Sequence, residues 1–338
     1  MNKTKEYNPT RKYFIAEPSY WPFIGTLGLF FTVFGLVQVL HHEFIGPYLM
    51  VLGAGILIFT MFGWFGAVIK ESLAGLHSHQ MDRTYRWGMF WFIVSEIFLF
   101  GIFFGALFYT RLFGLTEIGN TAGDLAQMLL MSKGAATHQY LWPNFQYVWP
   151  LLKNPNPAVF PGPEAVIPTW GIPLLNTIIL LSSAVTVTWA HWGLQKGNRK
   201  QLIIGLILTV ILGFTFEGFQ AHEYIAAYTE MGLTLASGIY GTTFFTLTGL
   251  HAMHVTIGAI MLTIILIRVL RGHFLPQHHF AFEAVSWYWH FVDVVWLFAV
   301  IIENDLMFFR DAKRPKNICN FFLIARQHVW QTDFAVDK

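Results

Sequence analysis

The sequence predicts an all-α integral membrane protein with seven spanning helices, and two observations favour this fold class. Of the 338 residues, 55% are hydrophobic and 12% are charged, whereas soluble domains average about 25% charged residues. Long apolar runs also recur, each close to the roughly 20 residues that cross a bilayer as a helix. They lack the period-two alternation of membrane strands, so helices with internally satisfied backbone hydrogen bonds are the credible spans.

The spans follow one another at intervals along the chain. The first is uncharged, the third has a glutamate near its middle, and the fourth follows a proline-rich approach that ends at Pro168. We predict them at residues 21–40 and at about 47–69, 88–112, 170–192, 202–226, 240–268 and 282–302.

Three regions follow from these spans. They are an N-terminal segment at 1–20, a seven-helix region at 21–302 and a tail at 303–338. The loop at about 113–168 is rich in proline, glycine and asparagine, and it is predicted to be an irregular surface segment with a helix around 121–132. The polar, basic N-terminal segment does not look like a cleavable signal.

Charge and cysteine content exclude several classes of site. The formal net charge of +2 is too small to suggest a nucleic-acid partner. The single cysteine, Cys319, excludes an intrachain disulfide framework and a CxxC metal site.

The distribution of basic residues predicts the orientation of the chain. Lysine and arginine concentrate in the N-terminal segment and in the loops on the same side, so the positive-inside rule places the N-terminus in the cytoplasm. An odd number of spans then places the C-terminus outside. The basic tail opposes this assignment mildly. The residues on the cytoplasmic side are Lys3, Lys5, Arg11, Lys12, Lys70, Arg83, Arg86, Lys196, Arg199, Lys200, Arg268 and Arg271.

Glu96 lies near the middle of the third span, in FIVSEIFLF. Ionisable groups at membrane depth are costly and face protein or a cavity rather than lipid. Burial disfavours the charged form of the carboxyl. Two interpretations stay open, a proton-handling group and a neutral carboxyl that bonds to a neighbouring helix.

Other polar residues within spans favour structural roles. Glu217 in span five has Gln220 and Tyr224 at helical spacing, which indicates packing. His251 and His254 lie three residues apart in span six, where imidazoles could ligate a metal or haem. A haem site would need a second deep histidine pair, and no HExxH is present, so we expect interhelical hydrogen bonds and no metal site.

The last span has one polar stripe. Glu283, His290 and Asp293 fall within an arc of roughly 80° on a helix. This pattern predicts that the stripe packs against protein or bound lipid headgroups.

Charged groups also border the spans on the cytoplasmic side. Lys70, Glu71 and His77 lie between spans two and three, and Arg268 and His273 lie between spans six and seven. Basic pockets there bind anionic lipid headgroups, and simple topological anchoring is the alternative.

Several segments resemble cytochrome c oxidase subunit III, in the order that this family has them. They are WFGAVIKES at 64–72, YRWGMFWFIVSEIFLF at 85–100, IPLLNTIILLSSAVTVTWAHW at 172–192, SGIYGTTFFTLTGLHAMHVTIG at 237–258 and HHFAFEAVSWYWHFVDVVWLF at 278–298. The resemblance runs from about 18 to 298. The stretch FFGALFYTRL at 103–112 departs from it, which affects the lipid contacts expected there.

This resemblance implies a group of two helices and a group of five helices, with a lipid-filled cleft between them. It also implies a chain with no haem, copper, other metal or catalytic residue of its own. The implied partners are the catalytic subunit I, which holds haems and copper, subunit II and anionic phospholipids. Cytochrome c binds the complex, which reduces oxygen and pumps protons. The implied location is a bacterial plasma membrane, or the mitochondrial inner membrane in a eukaryote.

The resemblance also implies residue roles. Glu96 matches the family's membrane-embedded carboxyl, which is linked to proton uptake. Lys70, Glu71 and His77 match one phospholipid site, and Arg268 and His273 match another. The remaining positions match a structural signature, namely Glu217, His251, His254, Glu283, His290 and Asp293.

Three alternatives stay open. A subunit III of a quinol oxidase or nitric oxide reductase is close, although such relatives commonly lack the first two spans. A polytopic transporter would place Glu96 and Glu217 in an ion path, but no internal repeat supports it. The placement of the histidines in this chain disfavours a membrane enzyme with its own metal.

Overall fold

The structure is a computed structural model that describes residues 18–77, 79–119, 135–168 and 170–303. The helix expected around 121–132 and the tail beyond 303 lie outside the described residues.

All seven spans are confirmed as helices that are long and apolar enough to cross a membrane. Between Ser19 and Glu303, the described residues form no strand, only an isolated bridge between Leu275 and His278. The spanning helices are α1 (Trp21–Leu40), α2 (Gly46–Leu73), α3 (His79–Tyr109), α4 (Ile172–Gln195), α5 (Arg199–Glu230), α6 (Ile239–Leu270) and α7 (Phe280–Glu303).

Helix α3 begins before the predicted third span, and helical structure continues past the predicted end of that span. At its start, Arg86 Nε donates to Asp82 Oδ2 at 3.0 Å, an i,i+4 pair that supports polar helical turns outside the apolar run. At its end, the helix continues through a π-helical turn at Thr110–Gly114 and a short helix at Leu115–Ile118. Hydrophobicity alone therefore underestimates this helix, because polar residues extend it.

The chain divides into two compact units, Met1–Val94 and Ser95–Lys338. In the first unit, α1 and α2 form a hairpin held by glycines. A Cβ on Gly35 would lie 2.6 Å from the backbone nitrogen of Met50, and one on Gly46 would lie 2.6 Å from that of Val39. Small residues at these positions allow the close backbone approach that stabilises helix pairs in lipid.

In the second unit, Trp289 of α7 connects several helices. Its side chain is 0% exposed. Its indole N–H donates to Ser183 Oγ of α4 at 2.8 Å. A Cβ on Gly213 of α5 or Gly258 of α6 would lie within 3.0 Å of its ring. One aromatic residue thus fixes the spacing of α7 against three other helices.

The segment between α3 and α4 is more deeply packed than the sequence indicates. Leu151 is 2% exposed and Ile167 is 4% exposed, and both belong to a buried cluster with Leu233 and Tyr240. Asn154 Nδ2 donates to backbone carbonyls, including that of Ser237 at 3.2 Å. Most of 142–168 is irregular as predicted, but the expectation of a surface segment is wrong for part of it, because its apolar residues cover the ends of α5 and α6.

Candidate functional site

Glu96 of α3 and His254 of α6 form a polar pair inside the second unit. Glu96 Oε2 lies 3.0 Å from His254 Nε2, and their side chains are 16% and 6% exposed. The ring of Phe100 packs edge-on to the imidazole at a centroid distance of 5.1 Å, and Tyr288 stacks on it at 6.2 Å. Glu96 therefore contacts protein, and its partner is a histidine that sequence reasoning did not connect to it.

The other nitrogen of His254 fixes the proton arrangement of this pair. His254 Nδ1 lies 2.7 Å from the carbonyl oxygen of Leu250. A carbonyl only accepts, so Nδ1 carries a hydrogen. Nε2 can then accept a hydrogen bond from a Glu96 carboxyl O–H, or donate one to the carboxylate if the ring gains a proton. The arrangement can hold a proton and move it over one hydrogen bond.

His251, three residues before His254, has a different partner. Its Nε2 lies 3.1 Å from the carbonyl oxygen of Val292 in α7, and its side chain is 1% exposed. It packs between Phe216 and Trp296. The two histidines thus make separate interhelical hydrogen bonds and do not converge on a shared ligand.

The polar residues of α5 have partners that differ from those suggested by their spacing. Thr256 donates to Glu217 Oε1 at 3.1 Å, while Tyr224 donates to Thr248 Oγ1 at 2.6 Å. Gln220 Nε2 donates instead to Glu223 Oε2 at 3.3 Å.

Glu223 is therefore a buried carboxyl within α5, only 7% exposed.

The polar stripe of α7 faces α4. Glu283 Oε1 lies 2.9 Å from His279 Nε2 and 3.9 Å from His191 Nε2. Further along, His290 Nδ1 lies 3.5 Å from Asp293 Oδ2.

His290 also contacts α4, since its Nε2 lies 3.3 Å from Thr188 Oγ1. The i,i+4 spacing of His279 and Glu283 already indicates in the sequence that the two side chains can meet.

In the first unit, Glu71 lies in the last turn of α2, close to His77. Glu71 Oε2 lies 3.9 Å from His77 Nε2, and the ring of Tyr85 lies edge-on at 5.4 Å. Burial lowers the pKa of His77, and the Glu71 carboxylate opposes this shift. Lys70, in the last turn of α2, precedes this pair in sequence.

In the second unit, Arg268 and His273 lie near the end of α6. The Arg268 guanidinium lies over the Phe274 ring at 4.5 Å. Arg268 Nε and His273 Nδ1 are buried and have no hydrogen-bond partner within the described part of the chain. Burial lowers the pKa of His273, as do the charges of Arg268 and Arg271. The end of α6 therefore combines positive charge with unused donor capacity.

Comparison with known proteins assigns the chain to a family. The family model described as cytochrome c oxidase subunit III matches residues 11–128 and 157–304. This chain belongs to the cytochrome c oxidase subunit III family. The match continues past 298, where sequence reasoning had stopped.

Individual relatives agree with this assignment. The chain is 41% identical to cytochrome c oxidase subunit 3 of Marchantia polymorpha, over 85% of this chain and 93% of the relative. It is 38% identical to that of Formosania lacustris, over 86% and 95%. It is 41% identical to that of Anopheles gambiae, over 85% and 94%. The chain is thus an integral membrane subunit of an oxidase.

Proposed function

We propose that this chain is the non-redox membrane subunit of a proton-pumping cytochrome c oxidase. In this role it stabilises the catalytic subunit, binds anionic phospholipid and supports proton uptake. Haems and copper belong to partner subunits. The observation that carries the proton-related part of the proposal is the pair formed by Glu96 and His254.

The pair supports this role because it sets a carboxyl and an imidazole, both of which can exchange a proton, 3.0 Å apart within spanning helices. Glu96 is 16% exposed and His254 is 6% exposed, so water competes weakly for their hydrogen bond. The Leu250 carbonyl orients the imidazole through Nδ1 at 2.7 Å. A proton shared between a carboxyl and an oriented imidazole responds to small electrostatic changes nearby.

Phospholipid binding is supported by the groups at the end of α6. An anionic phosphate would supply acceptors to Arg268 Nε and His273 Nδ1, which lack hydrogen-bond partners among the described residues. Arginine suits phosphate because its planar guanidinium presents several donors. In the first unit, Lys70 and the pair of Glu71 and His77 form the second proposed headgroup site.

The proposed partners are the catalytic subunit I and subunit II of the oxidase. Cytochrome c is the proposed electron donor of the complex, because the relatives are named cytochrome c oxidase subunit 3. A quinol-oxidising complex would instead turn over with a quinol and not with reduced cytochrome c. Steady-state turnover of the purified complex with each donor separates these two assignments.

The test of the proton-related role is Glu96→Gln in the complete oxidase. Glutamine keeps a hydrogen-bonding amide next to His254 but cannot exchange the proton. We expect unchanged haem spectra and assembly, with slower proton uptake or faster inactivation during turnover. Glu217→Gln is the matched control, since that carboxyl accepts a hydrogen bond from Thr256 and not from His254. This substitution should change neither the rate of proton uptake nor the rate of inactivation.

Two results would overturn the proposal. Loss of haem from the Glu96→Gln complex would contradict a non-redox role, because this chain would then hold a cofactor. Proton conduction by the chain alone in lipid vesicles, without oxidase partners, would favour the transporter alternative.

A further inference from the structure

Three side chains with metal-ligating atoms meet where α4 ends and α7 begins. The ligand atoms of His191, His279 and Glu283 all lie within 4.8 Å of one another. His279 caps α7, since its carbonyl accepts from the backbone N–H of Phe282 at 2.9 Å and that of Glu283 at 3.2 Å. Its side chain lies beside the first turn, with Nε2 2.9 Å from Glu283 Oε1, while His191 reaches the same point from the last turn of α4.

The cluster is shielded from solvent. The side chains of His191, His279 and Glu283 are 11%, 10% and 12% exposed. Phe282, 1% exposed, covers one side with its ring 5.4 Å from that of His191. A carboxylate in such surroundings is costly unless a positive charge or several donors compensate it.

His279 supplies a second, independent observation. Within the described residues, neither Nδ1 nor Nε2 of its ring has a hydrogen-bond partner, although both atoms are buried. Its Nε2 lies 2.9 Å from Glu283 Oε1, but the two groups are not aligned as donor and acceptor. Buried polar groups normally form hydrogen bonds, so a buried imidazole that forms none, beside a carboxylate, fits a pair that binds one metal ion together.

We propose that His191 Nε2, His279 Nε2 and Glu283 Oε1 bind one divalent transition-metal ion of the Zn²⁺ class. Two imidazoles and one carboxylate suit zinc and its neighbours, whereas Mg²⁺ and Ca²⁺ prefer oxygen ligands. Three protein ligands leave a fourth position for water or for the side-chain amide oxygen of Gln195, whose amide group lies beside His191, with its Nε2 3.4 Å from His191 Nε2.

The distances fit this coordination. Tetrahedral ligands at about 2.0–2.1 Å from zinc lie about 3.3–3.4 Å apart. The separations of Glu283 Oε1 from His279 Nε2 and His191 Nε2, 2.9 and 3.9 Å, bracket that value. Side-chain adjustments of a few tenths of an ångström would centre the ion.

Bound metal would join the last turns of α4 to the first turn of α7. The expected consequence is a stiffer helix junction at this end of the second unit. The site does not include Glu96 or His254, so its test is independent of the proposed proton-related role. It replaces the sequence-based expectation that this chain holds no metal.

The test is zinc binding to the complete oxidase after removal of loosely held metal with a chelator. Each of three substitutions should lower the affinity for one zinc equivalent by about tenfold or more, since even substitutions outside the ligand shell cost that much. They are His279→Gln, His191→Gln and Glu283→Gln. His278→Gln is the matched control, because His278 is adjacent but exposed. Equal zinc binding by all five proteins, wild type included, would overturn the proposal.

A second measurement needs no variant, which matters if a substituted chain does not assemble. Adding Zn²⁺ to the wild-type complex should slow amide hydrogen exchange in residues 190–196 and 278–284. Exchange in 41–45, the connection between α1 and α2, is the internal reference and should not change. Unchanged exchange at both predicted segments would contradict the site.

Discussion

The carboxyl of Glu96 and the imidazole of His254 lie 3.0 Å apart, although 158 residues separate them in the chain. Their hydrogen bond joins α3 to α6. It also leaves each polar group with a partner in a region where unpartnered groups are costly.

The first prediction concerns the stability that this pair provides. His254→Phe removes the partner of Glu96 and leaves a poorly solvated carboxyl, which should destabilise the chain by about 1–3 kcal/mol. Glu96→Gln should cost less, because the amide N–H can still donate to His254 Nε2. The measurement is thermal dissociation of the chain from the purified oxidase.

The double variant completes the test of this pair. If the two residues interact directly, the combined effect should differ from the sum by about 0.5–3 kcal/mol. Strict additivity would mean that the observed contact contributes no coupling.

The number and order of the spans could be predicted, because each depends on a local run of apolar residues. The predicted first span, 21–40, coincides with α1. Helix ends were less predictable. Helix α3 begins at His79 and α5 continues to Glu230, because helical turns of polar residues extend each helix beyond its apolar run.

Partners across helices could not be predicted from spacing. Periodicity places His254 on one face of a helix, but it does not state which neighbour that face meets. The pairing with Glu96 and the convergence of His191 on Glu283 both depend on how helices rotate and pack. Only contacts between residues close in sequence, such as the cap residue His279 with Glu283, had a signal in the sequence.

The second prediction concerns the pKa of His77. Burial lowers this pKa, while the carboxylates of Glu71 and, to a smaller extent, Asp82 raise it. Glu71→Gln should therefore lower the pKa of His77 further. Asp82→Asn is the control with the smaller effect, because Arg86 already neutralises Asp82 at 3.0 Å. Histidine hydrogen–deuterium exchange followed by mass spectrometry measures both shifts, and an unchanged or raised value in Glu71→Gln would contradict the assignment.

The same lowered pKa has a consequence for stability. The folded-state pKa of His77 lies below the ordinary value of 6.5, so the unfolded chain binds more protons in that interval. The contribution of neutral His77 is thus present above pH 6.5 and declines as the pH falls towards the folded-state value. His77→Gln should show a smaller loss of thermal stability on acidification than the wild type.

The third prediction concerns lipid at the end of α6. Arg268→Gln should reduce the phospholipid retained by the purified oxidase, because it removes the guanidinium whose Nε lacks a protein partner among the described residues. Arg271→Gln is the matched control, since Arg271 is exposed. Phosphorus analysis after detergent washing, or native mass spectrometry, counts the lipid. Equal retention by both variants would favour topological anchoring over headgroup binding.

The fourth prediction concerns the packing of Trp289. A Cβ on Gly258 would lie 2.8 Å from Trp289 Cε3, and one on Gly213 would lie 2.9 Å from its Cη2. The indole has little freedom to move, because it is 0% exposed and donates to Ser183 Oγ. Alanine at either glycine should therefore destabilise the second unit by about 1–3 kcal/mol, the usual cost of overpacking.

Gly218 provides the control for this packing argument, because a Cβ there would meet no described residue within 4 Å. Gly218→Ala should be neutral or slightly stabilising, since alanine favours a helix over glycine by roughly 0.5–1 kcal/mol. Thermal dissociation of the oxidase measures all three variants. If Gly258→Ala and Gly218→Ala behaved alike, helix propensity would explain the data and the contact with Trp289 would not limit the approach of α6 and α7. A loss confined to Gly213→Ala and Gly258→Ala would instead show that the indole sets this helix spacing.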